Sequence, residues 1–278
     1  MLAGAALLAA LAAAAAVSGG ATASRSAEIY RPKLEPKNFV NPGKNPWLGL
    51  TPGKQTIRKG LVNVGHRRVE HIRTYTVTDV RKKIDGVMAT AVLDVDFDAG
   101  ETAEAAIDYL AADKLGNIWY LGSYTESYEG GRFVSALDAW LAGVNGGQPG
   151  ILVPANPKVG MRFFRDQLPG DEPDIGRVLS TRASACVPYR CFKHVLLLEE
   201  PGADEWKYYV AGVGGIWTRP VDKNDPVQET ELLINVKVLT PQGLSEISNQ
   251  VVRLDRHART TAPSAFGKSV PAKRVKST

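Results

Sequence analysis

From Lys54 to Leu239 the chain is written in short runs of alternating side chains, rich in β-branched and aromatic residues and cut apart by Gly, Pro, Asp and Asn. A period of two is the signature of a strand with one face in and one face out. The clearest runs cover residues 67–84, 87–97, 117–128, 132–141, 175–187, 192–199, 205–210 and 229–239. Several links between runs are very short, as at Asp85-Gly86, Ala99-Gly100 and Gly130-Gly131. Such links join antiparallel neighbours, because a parallel crossover needs about a dozen residues or more. The expected fold is therefore mainly β, an antiparallel meander curled into a barrel or half-barrel.

Two regions refine that expectation. Residues 101–112 are rich in alanine, which favours helix, but Ala103, Ala105, Ile107 and Tyr109 alternate, and a strand is expected. Leu244, Ile247, Val251 and Leu254 recur at three- and four-residue spacing and predict one C-terminal amphipathic helix. The adjacent rings of Phe163-Phe164 and Tyr208-Tyr209 must point to opposite faces of their strands. A barrel whose outside is partly covered by loops and the final helix accommodates them.

Around this single β-rich domain, residues 53–258, three flanking regions are expected. Residues 1–23 read as a signal peptide: an uncharged Leu/Ala run of about 16 residues, shorter than the roughly 20 that span hydrocarbon, then Ala21-Thr22-Ala23 as a small-x-small cleavage site. The chain is thus expected to be exported, to the periplasm, the cell surface or the medium. A direct lipid anchor would need a cysteine just after that site, and Cys186 and Cys191 lie far downstream. Residues 24–52 form a Pro-rich leader ending in a docking segment at Trp47-Leu48. The net charge of +5 is concentrated late, with seven basic residues from Arg253 onward against one acidic residue, Asp255. Residues 259–278, rich in Ser, Pro, Ala and Lys, are expected to be a disordered basic tail, and no nucleic-acid partner is expected. Residues 143–160, broken by Gly146-Gly147, Pro149, Pro154 and Pro157, read as a long loop able to cover a site.

Few residues point to chemistry. Cys186 and Cys191 flank Val187-Pro188-Tyr189-Arg190 and, in an exported chain, are expected to form a disulfide across a hairpin, with two free buried thiols as the alternative. Asp94, Asp96 and Asp98 share one strand face and could attract calcium, but no loop wraps them, so a solvated face is expected. Residues 113–117 read as an acidic turn, because Lys114 and Leu115 stand where further oxygens would be needed. His66, His71, His194 and His257 show no zinc-binding spacing, and neither metal nor cofactor is expected. No Gly-x-Ser-x-Gly elbow occurs. Gly212-Val213-Gly214-Gly215 opens no helix and reads as a bend, and Gly267-Lys268-Ser269 lacks the first P-loop glycine, having Ala262 in its place.

Aromatic residues give the strongest lead. In a regular strand Tyr120, Tyr124 and Tyr128 share one face, and with Trp119 and Trp140 they could line a groove for a lipid, glycan or peptide. The leading expectation is a non-catalytic exported β protein that binds an apolar or amphipathic ligand. One alternative is a surface or extracellular assembly subunit that uses the leader and tail as arms. Another is a hydrolase built on Asp108 or Asp113 with His194.

Several segments, taken together, resemble an uncharacterised family of bacterial secreted proteins and lipoproteins. They are Asn45-Pro46-Trp47 with Thr51-Pro52-Gly53, residues 113–122 (DKLGNIWYLG), residues 140–160 (WLAGVNGGQPGILVPANPKVG), Val187-Pro188-Tyr189 and residues 207–214 (KYYVAGVG). The resemblance covers roughly residues 45–217 and implies export and a β-rich fold, with no activity or catalytic residue to carry over. This chain departs from it in lacking an anchor cysteine near its start, in having Cys186 and Cys191, and in extending past Trp217.

Overall fold

The computed structural model describes residues 28–275, apart from 137, 201, 203 and 223, so the expected signal peptide lies outside the described residues. After a short strand β1 (Ile29–Tyr30) and a 3-10 turn (Pro36–Phe39) come five long strands: β2 (Lys54–Val64), β3 (Arg67–Ile84), β4 (Val87–Asp98), β5 (Glu101–Ala112) and β6 (Ile118–Glu129). Three short ones follow, β7 (Arg132–Ser135), β8 (Ala139–Leu141) and β9 (Gln148–Val153). The wall continues through β10 (Arg162–Gln167), β11 (Asp174–Val187), β12 (Arg190–Glu200), β13 (Glu205–Val210), β14 (Gly214–Pro220) and β15 (Thr230–Val238). Helices α1 (Pro241–Thr261) and α2 (Pro263–Phe266) and the short β16 (Lys273–Arg274) complete the chain.

Twelve of these strands close a barrel. Strands β10 to β15 run as consecutive neighbours, β15 pairs with β2, and β2 to β6 continue the antiparallel meander. The seam is β9, which pairs with β6 on one side and β10 on the other. Residues 143–160 are thus not a covering loop: their middle is wall. Pro149 and Gly150 hid a strand of six residues, too brief to show a period of its own. The β2–β15 junction needs Gly60, where a Cβ would fall 1.7 Å from the Thr230 carbonyl oxygen.

The interior is the reverse of a simple apolar core. Tyr75, Arg73 and His71 of β3 pair directly with Asp94, Asp96 and Asp98 of β4, so the row of carboxylates expected to face solvent faces the lumen. Alternation says which residues share a face; it does not say which face is the inside. The intervening Leu93 and Val95 belong to the main apolar core, which also holds Val251, Leu254, Ala258 and Phe266 of the helices.

Helix α1 forms where the spacing predicts it. The Thr240 hydroxyl accepts the Gly243 N–H at 3.1 Å and Pro241 occupies the first turn, both favourable N-terminal signals. Beyond it the chain does not become a disordered tail. Phe266 is fully buried against the rings of Tyr109 and Tyr124, β16 pairs with β3, and Arg274 grips Asp79 through two nitrogens at 3.1 and 2.9 Å. One phenylalanine and small residues such as Ala262, Ala265 and Ala272 anchor this stretch, which its bulk composition concealed.

The leader docks on the barrel. The side-chain Oδ1 of Asn45 accepts the Trp47 and Leu48 N–H groups, while its Nδ2 donates to the Gly116 and Val153 carbonyls. Phe39 meets Trp119 edge-on, and Leu48 is buried. At the far side, the β11–β12 hairpin carries the Cys186–Cys191 disulfide at its tip. Its Phe192 and Val195 pack on Tyr208, Ile216 and Leu233 in a second, smaller apolar cluster. Among the described residues no helix is long and apolar enough to cross a membrane.

Candidate functional site

Charge fills the lumen in two networks. In the first, Arg73 donates to Asp94 from Nε and Nη2 at 2.8 and 2.6 Å and to Glu231 from Nη1 at 2.8 Å, while Arg58 Nε lies 2.8 Å from the other Glu231 oxygen. In the second, Glu200 receives Arg165 at 2.9 Å and Lys207 at 2.8 Å. Arg165 also reaches Asp174 at 2.8 Å, and Lys207 reaches Glu205 at 3.2 Å. Burial alone would raise the carboxyls of Glu231 and Glu200, but the cations beside them hold both below their ordinary range. Asp108 has no cation in contact: burial first, then the nearby Asp94, pushes it up to about 6, and it accepts the Tyr120 hydroxyl at 2.9 Å.

Between these networks and the leader lies a half-open cavity of about 90 Å3. Its lining includes the apolar side chains of Leu48, Val77, Leu152 and Val213. It also includes the polar groups of Tyr75, Tyr209, Arg58, Asp108 and Lys54. Pockets for drug-sized molecules are commonly about 300–1,000 Å3, so this one suits only a small guest.

The aromatic groove expected from the sequence is not assembled. Tyr120 points to Asp108 and meets Trp140 edge-on, ring centroids 5.4 Å apart. Tyr124 and Tyr128 lie on the opposite face, where both donate to Glu126 and Tyr124 also meets Thr261 of α1. A bulge divides them: Tyr109 pairs with Gly122 and Leu110 with Tyr120, which skips Leu121 and reverses the phase of the strand. Trp119 donates to Asp113 at 2.9 Å in the turn at residues 113–117, at the rim of the wall. None of Trp119, Tyr120, Tyr124, Tyr128 and Trp140 is among the described residues lining the cavity. The hydrolase grouping also fails to converge, since Asp108 is in the lumen, Asp113 in that turn and His194 exposed at a kink of β12.

One constellation had no sequence signal. His71 of β3 stands with its Nε2 3.8 Å from Glu229 Oε1 and 3.9 Å from Glu231 Oε1, and its Nδ1 is 2.7 Å from Asp98 Oδ1. These residues meet only because β15 closes on β2, a junction that no local spacing announces.

The fold and site define a closed antiparallel β barrel with an ion-paired interior and a helix-covered flank. No protein-family model and no curated protein matches the chain. Among solved structures it is similar to a protein described as exported, with a YmcC-like fold, from Bacteroides fragilis: TM-score 0.37, 13% identity, 70% of this chain and 98% of that one covered. It is also similar to a protein described as a lipoprotein from Parabacteroides distasonis: TM-score 0.36, 13% identity, 70% and 100% covered. Likeness at this level carries no inference about the lumen.

Proposed function

We propose that the protein is an exported, non-catalytic barrel that binds a small amphipathic molecule in the lumenal cavity beneath Leu48. The observation that carries this reading is the cavity's mixed lining, in which Leu48, Val77 and Leu152 stand together with the cations Arg58 and Lys54. An apolar body with one anionic group matches that pattern; at about 90 Å3 a lipid or a glycan chain does not fit. Export is supported by the Leu/Ala run of residues 2–17 with its small-x-small site, and by a disulfide, a bond that persists in oxidising compartments. Assembly through the leader and tail as free arms loses its support, because residues 28–52 and 259–275 contribute to the packed barrel.

The test is solvent extraction of the natively purified protein together with thermal shifts across a panel of small carboxylic acids. A bound molecule or a saturable shift, abolished by filling the cavity with Leu152→Trp, is the expected result. No extracted molecule and no shift across the panel would remove the proposal.

A further inference from the structure

We infer that His71, Glu229 and Glu231 form a site for one divalent transition-metal cation, zinc by choice, where the lumen passes from Arg73 toward Asp98. The first observation is an orphaned ligand atom. His71 is almost fully buried, and its Nε2 has no hydrogen-bond partner although it faces two carboxylates. Glu229 Oε1, opposite it, is likewise without a partner.

The second observation is how the imidazole is held. Its Nδ1 is held by Asp98 Oδ1 at 2.7 Å, which turns Nε2 toward the two glutamates. A carboxylate that orients the far nitrogen of a histidine is the usual support for a metal ligand. The distances are close to what an ion needs. Zinc bonds to nitrogen and oxygen of about 2.0–2.2 Å place neighbouring tetrahedral ligand atoms about 3.4 Å apart. The observed 3.8 and 3.9 Å require contraction by a few tenths of an ångström.

The third is charge. Asp94, Asp96, Asp98, Glu229 and Glu231 crowd this part of the lumen, where their partners are Arg58, Arg73 and, for Asp98, His71. Crowded buried carboxyls are costly to hold as anions, and a divalent cation would offset that cost. Arg73 Nη1, 2.8 Å from Glu231 Oε1 and 3.7 Å from Glu229 Oε1, bounds the site on its cavity side. Both carboxylates can accept from it while turning another lone pair to the ion. Imidazole with carboxylate oxygens selects a transition metal over calcium or magnesium. Glu229, with a side chain 22% exposed, leaves room for water as a further ligand.

The experiment uses the folded, disulfide-intact chain stripped with chelator, titrated with Zn2+ by calorimetry and with Co2+ by visible absorbance. One equivalent binds and raises the melting temperature, while Ca2+ and Mg2+ do not compete. Glu229→Gln, an isosteric change at a partly exposed side chain, weakens Zn2+ binding by about tenfold or more with its circular dichroism unchanged, and His71→Gln removes the cobalt bands. Absence of saturable uptake by the wild-type chain overturns the inference. Uptake undiminished in Glu229→Gln overturns it equally, whether or not His71→Gln folds.

Discussion

Lys82 donates from Nζ to Asp255 Oδ1 at 2.7 Å beneath the C-terminal helix, joining residues 173 apart in the sequence. The same Asp255 oxygen accepts the Tyr109 hydroxyl at 2.7 Å, its other oxygen accepts the Ala272 N–H at 2.9 Å, and Lys82 also reaches Ser269 and Val270. One carboxylate therefore fastens β3, β5, α1 and the last residues together. Removing one member of a buried ion pair strands the other, so Asp255→Ala is expected to cost about 3–5 kcal/mol in urea denaturation. The double change Lys82→Met with Asp255→Leu should recover only part of that loss, because the Tyr109 hydroxyl and the Ala272 N–H stay without their acceptor.

Phe266 gives a second measure of how far the C-terminal segment belongs to the fold. Its ring is fully buried against Tyr109 and Tyr124, and Phe266→Ala should cost about 3–5 kcal/mol in the same assay. A loss below about 0.5 kcal/mol would mean that the segment is detached in solution.

Asp108 makes stability depend on pH in a fixed direction. Its carboxyl is raised from 3.8 to about 6 in the fold, so the folded chain binds more protons than the unfolded one between those values. Stability contributed at that residue consequently falls as pH rises from about 4 through 6 and levels off above. Asp108→Asn keeps an acceptor for Tyr120 and should be more stable than wild type at pH 7.5 by on the order of 1–3 kcal/mol, with the difference vanishing near pH 4. Melting curves across that range decide it, and a constant difference at all pH values would contradict the assignment.

The Cys186–Cys191 bond closes a small ring, with a sequence separation of 5, so chain entropy assigns it only about 2 kcal/mol. Reduction, or Cys186→Ser with Cys191→Ser, should lower the melting temperature by roughly 4–8 °C without unfolding the barrel. Collapse of the near-ultraviolet spectrum on reduction would show that the hairpin holds more than its own tip.

The strands and the final helix were legible because alternation and helical spacing are local properties of residues such as Leu93 to Phe97 or Leu244 to Leu254. What failed to show was global. Asp94 and Asp96 alternate identically whether they face water or a lumen lined by Arg73, and only closure distinguishes the two. The Tyr120 to Tyr128 stripe was broken by a single unpaired Leu121, a bulge no alternation rule anticipates. Phe266 and Ala272 were hidden by the polar company they keep, and His71 meets Glu229 and Glu231 only across two strand boundaries.

Closure through β2 and β15 also sets an order of events. Strand β2 lies near the beginning of the wall, yet its partner residues 230–238 come near the end, so its backbone edge stays open until almost the whole chain is present. Pairings that distant are slow to form, and an unpaired strand edge is a template for the wrong neighbour. The long-lived hazard for this polypeptide is thus the interval before its last strand arrives.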